Sequence, residues 1–125
     1  MNTVSTNALE LGIDVGGLDA IVETDDSLVI GGRATHRRIL ESPVVRAGYP
    51  MITDAAAVIG DPQVRNWGTI GGSVAHADPA ADWVSTMMLL DATIVIAALS
   101  DASGQGQSHI TQREVKAQDF MTGPF

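Results

Sequence analysis

Residues 65–82 read RNWGTIGGSVAHADPAAD, and their side chains could hold a charged ligand. Thr69 and Ser73 flank the pair Gly71–Gly72, with Ile70 between, His76 following and Asp82 closing the stretch. Glycine has no Cβ, so its backbone can come close to a bound molecule. Successive amides in a bare turn can form a concave anion site. Each hydroxyl can donate to a phosphate or ribose oxygen. Asp82 can accept from a ribose hydroxyl or a ring N–H, although a carboxylate in a first helical turn also simply favours the helix dipole. The set suits a phosphate-bearing cofactor held without Lys or Arg. Taken alone, T-x-G-G is weak, because glycine pairs punctuate ordinary turns. No G-K-[ST] follows, so this is not a P-loop, and G-x-G-x-x-G is absent.

Other chemistries find less support. His36, His76 and His109 show no H-E-x-x-H-type spacing, so no metal site is expected, and solvated or locally bonded histidines are. Ser73, His76 and Asp82 would be the candidates for a hydrolytic triad, but they are neighbours in one stretch without a G-x-S-x-G elbow. Arg65 and Asn66 are expected to brace the turn. The chain has no cysteine, which excludes disulfides, thiolate zinc sites and cysteine-ligated clusters within it and fits a reducing cytoplasm. A net charge of −8 argues against a nucleic-acid surface. The beginning of the sequence lacks a basic n-region followed by an apolar run, and no apolar run reaches the ~20 residues that span a bilayer.

The elements that must position this stretch can be read outward from it. Residues 1–17 look loose. LDAIVE and SLVIGG are short β-type runs around TDD, a hairpin pattern. Thr35 can cap a short helix, HRRILE, which Pro43 ends. Pro50 suits the start of a second helix with Met51, Ile52, Ala55 and Ile59 on one face and Gly60 as its stop. DPQVRNWG then leads into the glycine-rich turn. Asp78 and Pro79 suit the start of a third helix, whose Trp83, Met87 and Leu90 form a core-facing stripe. ATIVIAAL reads as a strand covered on both faces, SDASGQGQSH as a turn, and ITQREVKAQDF as a last strand. The sum is an α+β domain with an antiparallel or mixed sheet flanked by helices.

At full length, IGDPQVRNWGTIGGSVAHADPAAD resembles the second flavin-binding segment in the FAD-binding subunits of molybdenum hydroxylases, the family of aerobic carbon monoxide dehydrogenases and xanthine dehydrogenases. The flanking LDAI…SLVIGGRATHRRILESPVV and LDATIVI…REVKAQDFMTGPF follow the same order, so the resemblance spans residues 18–125. It implies FAD as cofactor, contacted at Thr69, Ile70, Gly71, Gly72, Ser73, His76 and Asp82. Ser73 stands where the family often has Asn, and Trp67 where it often has Arg. The resemblance further implies electrons arriving from iron–sulfur clusters and leaving through FAD to NAD, oxygen or a quinone. It implies a large molybdopterin-binding subunit and a small iron–sulfur subunit as partners.

The same comparison marks what the chain lacks. The resemblance implies that it corresponds to the second subdomain alone. The family's earlier A-G-G-x-x-L loop, which grips the pyrophosphate, is not found, and Gly16 and Gly17 match a connector instead. Each charge-assisted bond to a pyrophosphate is worth about 1.5–3 kcal/mol, so FAD binding is expected to be weak. The alternative expectation is a non-catalytic fragment that folds or self-associates without retaining FAD. Substrate and electron acceptor are not legible.

Overall fold

The computed structural model describes residues 8–11, 18–76, 82–100 and 109–120. The strands are β1 (Ala8–Leu11), β2 (Ile21–Glu23), β3 (Ser27–Ile30), β4 (Thr93–Ser100) and β5 (His109–Lys116). They form one mixed sheet in the order β2-β3-β1-β4-β5. The expected hairpin is present: β2 and β3 pair antiparallel, with Ile21 opposite Ile30 and Glu23 opposite Leu28. β4 and β5 pair antiparallel from Thr93 with Lys116 to Ser100 with His109. β1 lies between them, parallel to both β3 and β4. The segment 1–17, expected to be loose, therefore supplies the central strand through residues 8–11. A strand of four residues held by partners far along the chain leaves little local signal.

Among the described residues between β3 and β4 the chain runs through six helices: α1 (His36–Glu41), α2 (Pro43–Gly48), α3 (Pro50–Val58), α4 (Pro62–Trp67), α5 (Ile70–His76) and α6 (Asp82–Leu89). A seventh, α7 (Ala117–Phe120), follows β5, so the last strand ends sooner than its sequence suggests. Pro43, Pro50 and Pro62 each stand at a helix start, where a missing N–H and a fixed φ are both tolerated. Thr35 Oγ1 accepts from Arg38 N at 3.1 Å, and Asp61 Oδ1 from Val64 N at 3.0 Å. Gly60 ends the α3 region with φ +49°, a conformation that disfavours a side chain.

The core lies between the sheet and these helices. Leu28 and Ile30 of β3 meet Ile39, Val45, Tyr49, Ile52, Ile70, Val74, Trp83 and Met87 there. The Trp83, Met87 and Leu90 stripe is buried as expected. On α3 the buried residues are Ile52, Ala55 and Ala56, whereas Met51 is exposed. β4 is buried at Ile94 and Val95, but Ala97 and Ala98 are exposed, so the expected cover on both faces does not reach those two residues. The expected cap at Asp78 and helix start at Pro79 lie outside the described residues.

Candidate functional site

The glycine-rich stretch is not a bare turn. Residues 70–76 form α5, with Thr69 ahead of it accepting from Gly72 N at 3.1 Å. Two interior glycines each weaken a helix by about 1 kcal/mol. Tertiary structure compensates here: Ile70 and Val74, four residues apart, are both buried. Long-range backbone bonds also hold the helix start. Ile70 N donates to Ala34 O at 3.0 Å, Gly71 N to Gly32 O at 2.9 Å, and Gly68 O accepts from His36 N at 3.0 Å. Thr35 and Thr69 complete this seam as an antiparallel bridge.

The seam corrects the expected chemistry. The amides of Ile70 and Gly71 point back into the protein, and Ser73 N donates to Thr69 O at 3.1 Å. A concave anion site built from successive free amides is therefore not what this segment offers. Ile70 is fully buried, so its side chain belongs to the core. A Cβ on Gly71 would stand 2.4 Å from Gly32 O and 2.9 Å from Gly32 Cα, so that glycine is required by close packing of two backbones.

A smaller ligand surface remains. Gly72 is exposed, and an added Cβ would meet only the Thr69 hydroxyl, at 3.0 Å. Half-buried Gly32 lies against Gly71, and a Cβ there would find only Gly71 Cα at 3.9 Å. Each of these two glycines leaves open space where a side chain would stand, so the seam carries a ledge of bare backbone. Thr69 and Ser73 are half-buried, and the Thr69 hydroxyl, which accepts from Gly72, still has its proton to donate. Exposed His76 ends α5. The ledge and hydroxyls fit a flat or phosphate-bearing ligand lying along the backbone.

Asp82 stands elsewhere. It is exposed at the start of α6 and lines a groove between α3 and α6 with Met51, Asp54, Val58 and Ser85. No residue of the Thr69–Ser73 segment lines that groove. Arg65 and Asn66 brace the approach as expected: an Arg65 guanidinium N–H donates to Ala57 O at 2.9 Å, and Asn66 Oδ1 accepts from Arg37 at 3.4 Å.

His36 was not legible as a site residue. It is buried, 4% exposed, and its Nδ1 accepts from Trp83 Nε1 at 2.8 Å. The rings lie 24° from parallel with centroids 6.0 Å apart. Burial lowers its pKa below the ordinary 6.5, because the charged form is poorly solvated there. Its partner is 47 residues away, which no local pattern reveals. Among the described residues no cluster of His, Asp and Glu could hold a metal ion.

The mixed sheet, with six helices among the described residues between two of its strands and bare glycine backbone flanked by hydroxyls, defines an α+β domain with room for a ligand against its backbone. The family described as "FAD binding domain in molybdopterin dehydrogenase" matches residues 5–125, and the chain belongs to that family. Its cofactor is FAD. The glyceraldehyde dehydrogenase medium chain of Sulfolobus acidocaldarius is 44% identical over 96 residues, 77% of this chain and 31% of that one. The carbon monoxide dehydrogenase medium chain of Hydrogenophaga pseudoflava is 39% identical over 86% of this chain and 34% of its own length. Among solved structures, quinoline 2-oxidoreductase from Pseudomonas putida 86 superposes with a TM-score of 0.71 at 33% identity, over 86% of this chain and 34% of that chain. Carbon monoxide dehydrogenase from H. pseudoflava gives 0.69 at 34% identity, over 86% and 34%. The chain thus spans about a third of the length of these relatives.

Proposed function

We propose that this chain supplies one wall of the FAD site in the flavin subunit of a molybdenum hydroxylase. The bare backbone at half-buried Gly32 and exposed Gly72, along the seam between residues 32–36 and 68–71, is the observation that carries this reading. Bound FAD would supply the redox chemistry, moving electrons from iron–sulfur clusters to an acceptor. The protein's part is to bind and orient. Gly72 lets the cofactor approach the backbone, and the Thr69 and Ser73 hydroxyls donate to its phosphate or ribose oxygens. His76 flanks the same helix. Ile70 and Gly71 act by fixing the seam, and Asp82 receives a ribose hydroxyl or ring N–H from the far side. A molybdopterin-binding large subunit and an iron–sulfur small subunit are the proposed partners, in the cytoplasm. Among the described residues no helix is long and apolar enough to cross a membrane.

A second reading has a specific observation behind it. With the Ile70, Gly71 and Ser73 amides engaged internally, few donors remain for a pyrophosphate, and the chain would fold without retaining FAD. A visible spectrum taken after incubation with excess FAD and desalting separates the two. A retained flavin band supports the wall; a colourless but folded protein supports the second reading.

A further inference from the structure

The imidazole of His36 is wedged between two parts of the proposed site. On one side Trp83, fully buried and adjacent to Asp82, donates its indole N–H to Nδ1 at 2.8 Å. On the other side the ring faces Gly68, where an added Cβ would stand 2.8 Å from Nε2 and 2.9 Å from Cδ2. The His36 backbone N–H also donates to Gly68 O. One side chain therefore spaces the start of α6, with Asp82, from the segment that leads through Thr69 to Gly72. We propose that His36 is the positioning residue of the flavin site, and that its hydrogen bond from Trp83 is a latch that opens on protonation and releases the Gly68–Gly72 segment.

The chemistry of the latch is set by donors and acceptors. An indole N–H only donates, so Nδ1 must offer a lone pair, and the proton of the neutral ring sits on Nε2. Protonating Nδ1 sets two N–H groups against each other in a buried site, which costs the bond and leaves both unsatisfied. Charged groups on the surrounding helices do not intervene. Arg37, Arg38 and Glu41 on α1 and Arg46 on α2 are exposed, as are Asp54 on α3 and Asp82 on α6. Half-buried Arg65 on α4 is engaged with Ala57 O. Burial holds the ring neutral, and the bond that Nδ1 accepts from Trp83 opposes its protonation as well, so acid acts through the latch.

This rests on the reading of Thr69–Ser73 and Asp82 as the flavin site, so the test has one arm with FAD and one without. In the first, FAD affinity is measured at about pH 7.5 and at an acid pH where NMR shows His36 protonated. The wild-type chain should lose about tenfold in affinity on acidification. His36→Asn, whose Oδ1 can accept from Trp83 but does not titrate, should flatten the profile; a merely structural role would leave the wild-type slope in place. In the second arm, NMR follows the Trp83 indole N–H and the amides of Gly68, Gly71 and Gly72 without cofactor. They should shift together with the protonation of His36 and stay still in His36→Asn. If those resonances ignore the titration of His36, the latch is refuted whether or not FAD binds. If no FAD binds at any pH while the resonances move together, the latch stands and the flavin reading for this chain fails.

Discussion

Gly71 and Gly72 are neighbours in sequence, yet the structure gives them different work, and replacing each by alanine separates the two. At Gly71 a Cβ would meet Gly32 O at 2.4 Å and Gly32 Cα at 2.9 Å, both backbone atoms that no rotamer change can move. Relieving that overlap requires the seam to open. Overpacking of this kind costs about 1–3 kcal/mol. Stretching the 2.9 Å bond from Gly71 N to Gly32 O adds about 1 kcal/mol. The better helix propensity of alanine returns about 1 kcal/mol. The expected net loss for Gly71→Ala is about 1–3 kcal/mol, or a melting point lower by roughly 4–12 °C for a chain of this size. At Gly72 the only close atom is the Thr69 hydroxyl, at 3.0 Å, which can give by a small rotation. The same propensity term then makes Gly72→Ala neutral or more stable by up to about 1 kcal/mol. Urea denaturation, followed by the fluorescence of buried Trp83 and of exposed Trp67 as a surface control, measures both. Equal stabilities for the two variants would refute the claim that Gly71 is fixed by contact with Gly32.

Two further outcomes follow from buried polar groups. Because the folded pKa of His36 lies below its unfolded value of 6.5, the unfolded chain takes up the proton first as pH falls. Stability from this group is therefore complete above pH 6.5 and declines from there toward the lowered folded value, by at most about 1.4 kcal/mol per pH unit. Urea midpoints measured across that range should show the decline in the wild type and a shallower one in His36→Asn. Thr53 Oγ1 is the one buried side-chain oxygen or nitrogen among the described residues without a partner. Thr53→Val removes the unsatisfied hydroxyl and should stabilise the fold by about 1 kcal/mol; a loss of stability in thermal melts would show that the hydroxyl does find a partner.

What could be read from the sequence was what is local. The helix start at Pro50 follows from the chemistry of one residue, and the β2–β3 hairpin from two apolar runs around TDD, whereas the helices opening at Pro43 and Pro62 went unread. The Trp83, Met87 and Leu90 stripe follows from helical spacing. The family signature at residues 65–82 pointed to FAD without any knowledge of the fold. Long-range bonds decided the rest. β1 is a strand because β3 and β4 flank it. The glycine pair is helical because residues 32–34 hold its amides. His36 matters because Trp83 reaches it from another helix.

The central claim is that the exposed face at Gly72 receives the phosphate-bearing cofactor, and a flavin fluorescence titration of wild type against Gly72→Asp addresses it most directly. A carboxylate in the first turn favours the helix dipole, so folding should survive, while its charge would repel a pyrophosphate. The account predicts FAD binding by the wild type and a loss of at least about tenfold in the variant. Equal FAD affinity in a folded Gly72→Asp protein would contradict it.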